Sequence, residues 1–418
     1  MTSELFYKKT VLFIGFTWPE PTSTAAGNRM LQLLYFFLEQ KYRTIFASAA
    51  AETPLSLNLE AMGIEKASIQ LNDASFDEFV MGLNPDIVIF DRFLTEEQFG
   101  WRVAESVPDA LRILDTEDLH SLRNTRQTLF KRDIPFSIDA WLQNDTTKRE
   151  IASIYRTDLS LIISSYEMQL LTDTLKIDKN LLLHLPFMLK ALDEQTVKKW
   201  PSFDARKDFV CIGNGKHAPN IDAIQWLKNE IWPLIRNKLP DAELHIYGAY
   251  LPEHIQHLNN LKEGFRIMGW SENAETVLRE AKVSLAPLRF GAGIKGKLTD
   301  AMRAGTPTVT TSIGAEGMHT GLNWNGQIAE TAEDLARAAV SLYQNHEKWR
   351  SAQLNGITII NGLYDKRVLH QNLAGKIANL GNRLEEHRTQ NFIGAMLRHQ
   401  TLASTKFMSK WIEEKNRS

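Results

Sequence analysis

The chain has 418 residues, of which 43% are hydrophobic and 23% charged, and its formal net charge is −2. This length favours two or more domains of ordinary globular composition, and the near-zero charge argues against a nucleic-acid partner. The single cysteine, Cys211, excludes an internal disulfide framework and a cysteine-rich zinc site. A cytoplasmic location is therefore expected.

The N-terminus carries the apolar run Val11–Phe16 behind Lys8 and Lys9, a pattern that superficially resembles a signal peptide. The run is short and Trp18-Pro19 follows it closely, so a buried first strand explains it better. No stretch of the sequence approaches the length needed to span a bilayer.

Short apolar runs alternate with amphipathic segments through the first half, which is typical of a parallel sheet covered by helices. The predicted strands are Thr10–Gly15, Arg43–Ser48, Asp86–Phe90, Leu111–Asp115, Leu159–Ser164 and Leu181–Leu185. The predicted helices include Asn28–Gln40, Glu96–Ser106 and Tyr166–Leu175.

A charged segment, Leu192–Lys207, is interpreted as the linker between two domains, and the pattern then restarts. The predicted strands of the second unit are Asp208–Ile212, Glu243–Tyr247, Phe265–Met268, Val283–Ala286 and Thr308–Thr310. A long helix from Asn220 to Asn237 follows its first strand, because apolar residues recur there at helical spacing. We therefore predict two doubly wound α/β domains, over residues 1–195 and 205–385.

The C-terminal segment, residues 386–418, is predicted to be a helical tail that packs back on the first domain. Helices are expected over Asn391–His399 and Lys406–Glu414, and Phe407, Trp411 and Ile412 share one face of the second. A mobile or partner-binding tail is the alternative.

The sequence Ala286–Thr311, APLRFGAGIKGKLTDAMRAGTPTVTT, contains the strongest ligand-binding signal. A strand enters a loop with three glycines, which allow a close approach of backbone to ligand, and a helix then begins near Gly296. Lys295 and Lys297 bracket that helix N-terminus, where an anion is favoured. Asp300 lies about one turn onward, placed to accept hydrogen bonds from vicinal hydroxyls such as those of a ribose. A phosphate-binding site is preferred here over a plain structural turn.

A second glycine-bearing turn, in Phe209–Trp226, follows the first strand of the second domain. Its residues Gly213, Asn214, Lys216 and His217 are placed to reach a diphosphate, although simple helix capping explains part of the pattern equally well.

In the first domain, a predicted strand runs into Asp115, Glu117, Asp118 and His120. This group could bind a metal, act in acid–base chemistry or cap the next helix. For His120, a position facing the interdomain cleft is preferred, and a surface histidine is the alternative. The first strand's loop has no Gly-x-Gly-x-x-Gly, which argues against a dehydrogenase.

These segments resemble the retaining glycosyltransferases of family 4, the group 1 glycosyltransferases of the GT-B fold. GNGKHAPNIDAIQWL, LPDAELHIYG, APLRFGAGIKGKLTDAM and GTPTVTTSIGAEGM resemble the donor-binding domain, and ILDTEDLHSLR and LIISSYEMQLL resemble the acceptor-binding domain. The resemblance implies two Rossmann-like domains that face each other across a cleft, with a C-terminal helix crossing back to the first.

The resemblance also implies roles for individual residues. His120 and Lys295 would act on the reacting centre, the former beside the donor sugar and the latter on the diphosphate. The donor would contact Gly213, Asn214, Lys216, His217, Gly293, Ile294, Lys295, Lys297 and Asp300. The family carries two glutamates separated by seven residues; Asp300 matches the second, whereas Ala292 stands in place of the first.

The predicted activity is transfer of a sugar from a nucleotide sugar to a glycan or lipid-linked glycan, with retention and without a cofactor or metal. A lipid-linked acceptor would bring the enzyme to a membrane surface; the donor base, the sugar and the oligomeric state are left open. The alternatives are a sugar-nucleotide epimerase, a phosphorylase or a non-catalytic sugar-nucleotide-binding protein.

Overall fold

The computed structural model describes residues 9–399 and, beyond them, residues 408, 411, 412 and 415. Two parallel sheets, each covered by helices on both faces, make up two α/β domains. The predicted doubly wound architecture is therefore confirmed.

The first sheet has seven parallel strands in the order β3-β2-β1-β4-β5-β6-β7. They are β1 (Thr10–Gly15), β2 (Arg43–Ser48), β3 (Glu65–Ser68), β4 (Ile87–Asp91), β5 (Leu111–Asp115), β6 (Leu159–Ile162) and β7 (Leu182–His184). In β1, Leu12 and Ile14 enter the apolar cluster on one face, and Val11 and Phe13 enter the cluster on the other. Burial of both faces explains why the strands are apolar without alternation.

Helices connect these strands and cover the two faces of the sheet. They are α1 (Ala25–Glu39), α2 (Ser75–Leu83), α3 (Arg92–Ser106), α4 (His120–Lys131), α5 (Ile138–Gln143), α6 (Asp145–Arg156) and α7 (Ser165–Gln169). A short 3₁₀ turn spans Glu60–Met62 and another spans Lys179–Leu181, whereas α7 continues as a wider π turn over Leu170–Thr174.

The second sheet has six parallel strands in the order β10-β9-β8-β11-β12-β13. They are β8 (Lys207–Ile212), β9 (Leu244–Tyr247), β10 (Phe265–Gly269), β11 (Ala281–Ala286), β12 (Thr308–Thr310) and β13 (Gly326–Ile328). Two edge strands, β3 and β13, were absent from the sequence prediction. Both are short and partly exposed, so they lack the apolar run that marks the central strands.

The remaining helices belong to the linker, the second domain and the C-terminal segment. They are α8 (Glu194–Val197), α9 (Ala218–Trp226), α10 (Trp232–Lys238), α11 (Glu253–Gln256), α12 (Ala274–Glu280), α13 (Gly296–Arg303), α14 (Ser312–Ala315), α15 (Ala332–Gln344), α16 (His346–Leu363), α17 (Lys366–Asn382), α18 (Leu384–Gln390) and α19 (Phe392–His399).

The predicted long helix Asn220–Asn237 is confirmed, with a π turn over Leu227–Ile231 that joins α9 to α10. Pro233 lies in the first turn of α10. Proline has no N–H to donate and its ring crowds the preceding turn, so the regular hydrogen-bond ladder is interrupted there.

The C-terminal helices cross back to the first domain. Helix α17 places Leu369, Leu373, Ile377 and Leu380 in that domain's apolar core. Helices α18 and α19 add polar ties, among them the Arg388 guanidinium to the Asp158 carboxylate at 2.8 and 2.7 Å.

The predicted helix Lys406–Glu414, with Phe407, lies mostly outside the described residues. Trp411 and Ile412 are described and are 60% and 45% exposed. None of the helices in the described part is both long and apolar enough to span a membrane.

Candidate functional site

A cavity of about 720 Å³ lies between the two domains. It is lined by loops that follow β1, β4 and β5 of the first sheet and β8 and β11 of the second. These are the carboxyl ends of the strands, where open α/β sheets bind ligands. The fold therefore brings the three sequence-predicted site segments to one space.

The loop after β11 leads into α13 and forms the second-domain wall with Lys295, Lys297 and Asp300. The Lys295 ammonium donates to the Gly293 carbonyl at 2.7 Å, and the Lys297 ammonium donates to the Asn220 side-chain oxygen at 2.6 Å. Burial lowers the pKa of Lys295 to about 8 and raises the pKa of Asp300 to about 6. Lys295 is 8% exposed and thus poorly solvated before any ligand arrives, whereas the Asp300 side chain is 37% exposed.

Gly293 is placed differently from the prediction, which gave its backbone amide to the ligand. That amide donates to the buried Glu167 carboxylate at 2.8 Å. At φ +64° a β-carbon on residue 293 would lie 2.7 Å from that of Asp118, so glycine is required for contact between the domains. Gly293 is not among the cavity-lining residues, whereas Ile294 is.

The loop after β8 supplies Gly213, Asn214, Lys216 and His217, all of which line the cavity. The Asn214 amide donates to the Ser23 carbonyl of the first domain at 3.1 Å. The Lys216 ammonium lies 3.6 Å from the centre of the Tyr250 ring. Burial, aided by nearby cationic side chains, lowers the pKa of His217 to about 4, which leaves a neutral imidazole at neutral pH.

His120 is the first residue of α4 and lines the cavity from the first domain. Its Nε2 lies 3.3 Å from the Asp118 carboxylate, and its ring meets Phe93 edge-on at 5.9 Å. Burial lowers the pKa of His120 to about 4 despite the neighbouring acid. The imidazole is therefore neutral at neutral pH and can donate or accept a hydrogen bond.

The other acids of the first-domain cluster are divided among different partners. Asp115 is fully buried and pairs with Arg29 at 2.7 Å, so it holds the first domain together and does not reach the ligand space. Glu117 lines the cavity, and burial raises the pKa of its carboxyl to about 8.

Sequence reasoning missed several residues around the cavity. Arg92, in a left-handed backbone conformation at φ 73°, lines the cavity with its guanidinium 3.9 Å from Glu117. Glu150 accepts from the backbone amides of His120 and Ser121 at 2.9 and 3.1 Å. Glu167 lies in the predicted helix Tyr166–Leu175, and nothing in the local sequence reveals that its carboxyl group reaches the second domain.

Part of the chain is similar to a known family. A family model described as "Glycosyl transferases group 1" matches residues 206–345, about a third of the chain. A protein of Klebsiella pneumoniae described as an uncharacterized 44.6 kDa protein in the cps region is 25% identical over 179 residues. That match covers 40% of this chain and 46% of the relative, so it spans less than half of the relative's length.

Solved glycosyltransferase structures share the whole two-domain fold. Sucrose-phosphate synthase from Thermosynechococcus elongatus superposes with a TM-score of 0.66 at 14% identity and covers 89% of this chain and 99% of its own. Anabaena HepE in complex with UDP and glucose gives 0.65 at 12% identity, with coverages of 88% and 99%. WaaG, described as a glycosyltransferase involved in lipopolysaccharide biosynthesis, gives 0.61 at 10% identity, with coverages of 87% and 98%.

At these identities the structural likeness establishes the fold, and the family match lies in the domain that carries the lysine loop. Residues 206–345 are thus similar to the group 1 glycosyltransferases, and the fold of the described chain is that of the two-domain GT-B structures.

Proposed function

We propose that this protein transfers a sugar from a nucleoside-diphosphate sugar to a glycan or lipid-linked glycan, with retention of configuration. The observation that carries the proposal is the 720 Å³ interdomain cavity, in which Lys295, Lys297 and Asp300 of one domain face His120 of the other. A nucleotide sugar matches this arrangement because it combines hydroxyls, an anionic diphosphate and a neutral sugar in one molecule.

In the proposed complex, Asp300 accepts hydrogen bonds from the ribose hydroxyls. The diphosphate lies at the N-terminus of α13, near Lys295 and Lys297, with Lys216 and His217 approaching from the loop after β8. Cleavage of the bond between sugar and diphosphate leaves negative charge on the departing phosphate. Preorganised cations and amides stabilise that charge as it develops, which typically contributes several kcal/mol.

His120 is proposed to contact the donor sugar. Its neutral imidazole lies 3.3 Å from the Asp118 carboxylate, and Glu150 accepts a hydrogen bond from the His120 backbone amide. For retention, the acceptor hydroxyl must approach from the face that the diphosphate leaves. The acceptor is expected over the first domain's loops, and closure of the cleft would exclude water.

The comparisons favour a uridine nucleotide and a surface polysaccharide as working choices. HepE was solved with UDP-glucose, TarM of S. aureus with UDP, and the Klebsiella relative comes from a cps region. We propose that no metal is needed, because lysines and a helix N-terminus can neutralise the diphosphate. A cytoplasmic enzyme at a membrane surface would suit a lipid-linked acceptor.

A thermal-shift panel of nucleotides and sugar nucleotides would identify the donor, because a ligand that binds the folded state raises its melting temperature. The preferred donor would then be incubated with and without glycan acceptors, and the anomeric configuration of the product read by NMR. Lys295→Ala should abolish release of the nucleoside diphosphate, whereas Lys262→Ala, an exposed lysine outside the cavity, should leave it unchanged.

A second candidate function is a non-catalytic sugar-nucleotide-binding protein, favoured by Ala292 where the family has a glutamate. It predicts a melting-temperature increase with donor but no turnover in any acceptor mixture. An epimerase would instead return an isomeric sugar nucleotide, which product analysis distinguishes.

A further inference from the structure

The glycine loop that precedes Lys295 is anchored to the opposite domain at three consecutive residues. Arg126 of α4 donates to the Gly291 carbonyl at 2.9 Å. The Ala292 side chain packs in the first domain's apolar cluster and is 8% exposed. The Gly293 amide donates to Glu167 at 2.8 Å. This segment of the second domain is thus bound as if it belonged to the first.

The Glu167 oxygen that accepts the hydrogen bond from the Gly293 amide also accepts one from a second donor. The same Oε1 accepts from the backbone amide of Leu119 at 2.9 Å, and Leu119 immediately precedes His120. On the other side of the bond, the Gly293 carbonyl holds the Lys295 ammonium at 2.7 Å. One buried oxygen therefore connects the turn that carries His120 with the turn that orients Lys295.

We propose that Glu167 is a positioning residue that couples closure of the two domains to assembly of the site. Only when the domains meet does its Oε1 hold both amides, and only then are His120 and Lys295 fixed relative to each other. The inference rests on the proposed function for the identity of the reaction, but the coupling itself is a property of the fold.

The surroundings of Glu167 suit this role. The side chain is fully buried, and its second oxygen, Oε2, has no hydrogen-bond partner among the described residues. Burial and the nearby Asp118 charge raise the pKa of Glu167 to about 8. At neutral pH the group is then mainly an uncharged hydrogen-bond acceptor, so glutamine should replace it closely.

The same docking accounts for Ala292. Its short apolar side chain packs against the first domain's core, while the residue also lines the cavity. The Arg126–Glu316 ion pair, with bonds of 2.7 and 2.8 Å, reinforces the docking beside it.

The test compares Glu167→Ala, Glu167→Gln and the matched control Glu96→Ala in the full chain. Glu96 is also buried, at 4% exposure in the first domain, but its partner Arg156 lies away from the cavity. With the donor found in the panel, Glu167→Ala should lower kcat at least about 30-fold and change the donor KM less than about 3-fold. Glu167→Gln and Glu96→Ala should retain kcat within about 3-fold.

A distance measurement independent of turnover accompanies the kinetics. Spin labels at Asp145→Cys and Glu253→Cys, both highly exposed and in different domains, report the interdomain distance, and the buried Cys211 stays unlabelled. We expect a narrow distribution for the parent and the Gln variant, and a broader, longer one for Glu167→Ala.

The proposal is overturned if Glu167→Ala matches Glu96→Ala in kcat and keeps the narrow distribution, or if Glu167→Gln loses as much kcat as Glu167→Ala. Should the parent transfer no sugar from any nucleotide sugar, the proposed function fails. The distance distributions of the three variants then decide the positioning role by themselves.

Discussion

Lys295 provides the sharpest test of the site, because its buried ammonium has no carboxylate within ion-pairing distance among the described residues. Its only hydrogen-bond acceptor there is the neutral Gly293 carbonyl, and burial lowers the pKa of Lys295 to about 8. A diphosphate in the cavity would supply the missing counter-charge. Binding should therefore raise the pKa of this lysine and draw a proton from solvent.

The size of the effect follows from that pKa. At pH 7 the free protein is mostly protonated at Lys295 and binding takes up little; at pH 8 about half a proton should be taken up per nucleotide. Above pH 8 the dissociation constant for the nucleoside diphosphate should increase about tenfold per pH unit, which is about 1.4 kcal/mol of binding free energy.

Isothermal titration calorimetry of UDP, in buffers of different ionisation enthalpy between pH 7 and 9.5, measures both quantities. Lys295→Met keeps most of the aliphatic stem but removes the charge, so the proton uptake should disappear. The variant should bind UDP more weakly, and its affinity should depend less on pH. Lys262→Met, at an exposed position outside the cavity, should behave as the parent protein.

Two results would refute this reasoning. One is parent affinity that stays constant from pH 7 to 9.5. The other is a pH dependence that persists in Lys295→Met, which would assign it to the acids Glu117 and Glu167, whose pKa values burial also brings to about 8.

Three further predictions concern other parts of the same structure. Arg29→Met should lower the free energy of unfolding by about 3–5 kcal/mol in urea titrations, because it leaves the buried Asp115 carboxylate without a cation; a loss below about 1 kcal/mol would contradict this. With a pKa of about 6, the Asp300 carboxyl should become protonated as pH falls from 7 to 5, and UDP affinity should drop about tenfold. In Asp300→Asn the UDP phosphate still titrates, but the part of the pH dependence that is due to Asp300 should disappear. Ala292→Glu restores the acid that the resembled family carries at this position. It should lower kcat at least about tenfold, because residue 292 packs in the first domain's apolar cluster. Increased turnover would show that the glutamate instead reaches the sugar.

The sequence predicted the two-domain fold because the signals that mark buried strands and helices are local in the chain. A strand buried on both faces needs an apolar side chain at nearly every position, and β1, with Val11 and Phe13 on one face and Leu12 and Ile14 on the other, fulfils that demand. The partly exposed edge strands β3 and β13 carry no such demand and were missed.

Lys295, Lys297, Asp300, His217 and His120 all line one cavity. The sequence predicted that the loops of each domain lie together, because the carboxyl ends of parallel strands share one edge of a sheet, whereas the family resemblance implied that the two domains face each other. The protonation states of these side chains did not follow from the sequence. Burial sets them, as for His120, whose pKa falls to about 4 although an aspartate lies beside it.

Only the tertiary structure decided how the two domains meet. Glu167 and Gly293 are 126 residues apart in sequence, and Arg126 and Gly291 are 165 apart. A glycine whose backbone amide binds a phosphate and a glycine whose amide binds a distant carboxylate look the same in the sequence, so no local pattern distinguishes the two. The sequence by itself determined which loops reach the cleft; the packing of one domain on the other determined which of their hydrogen-bonding groups remain available there.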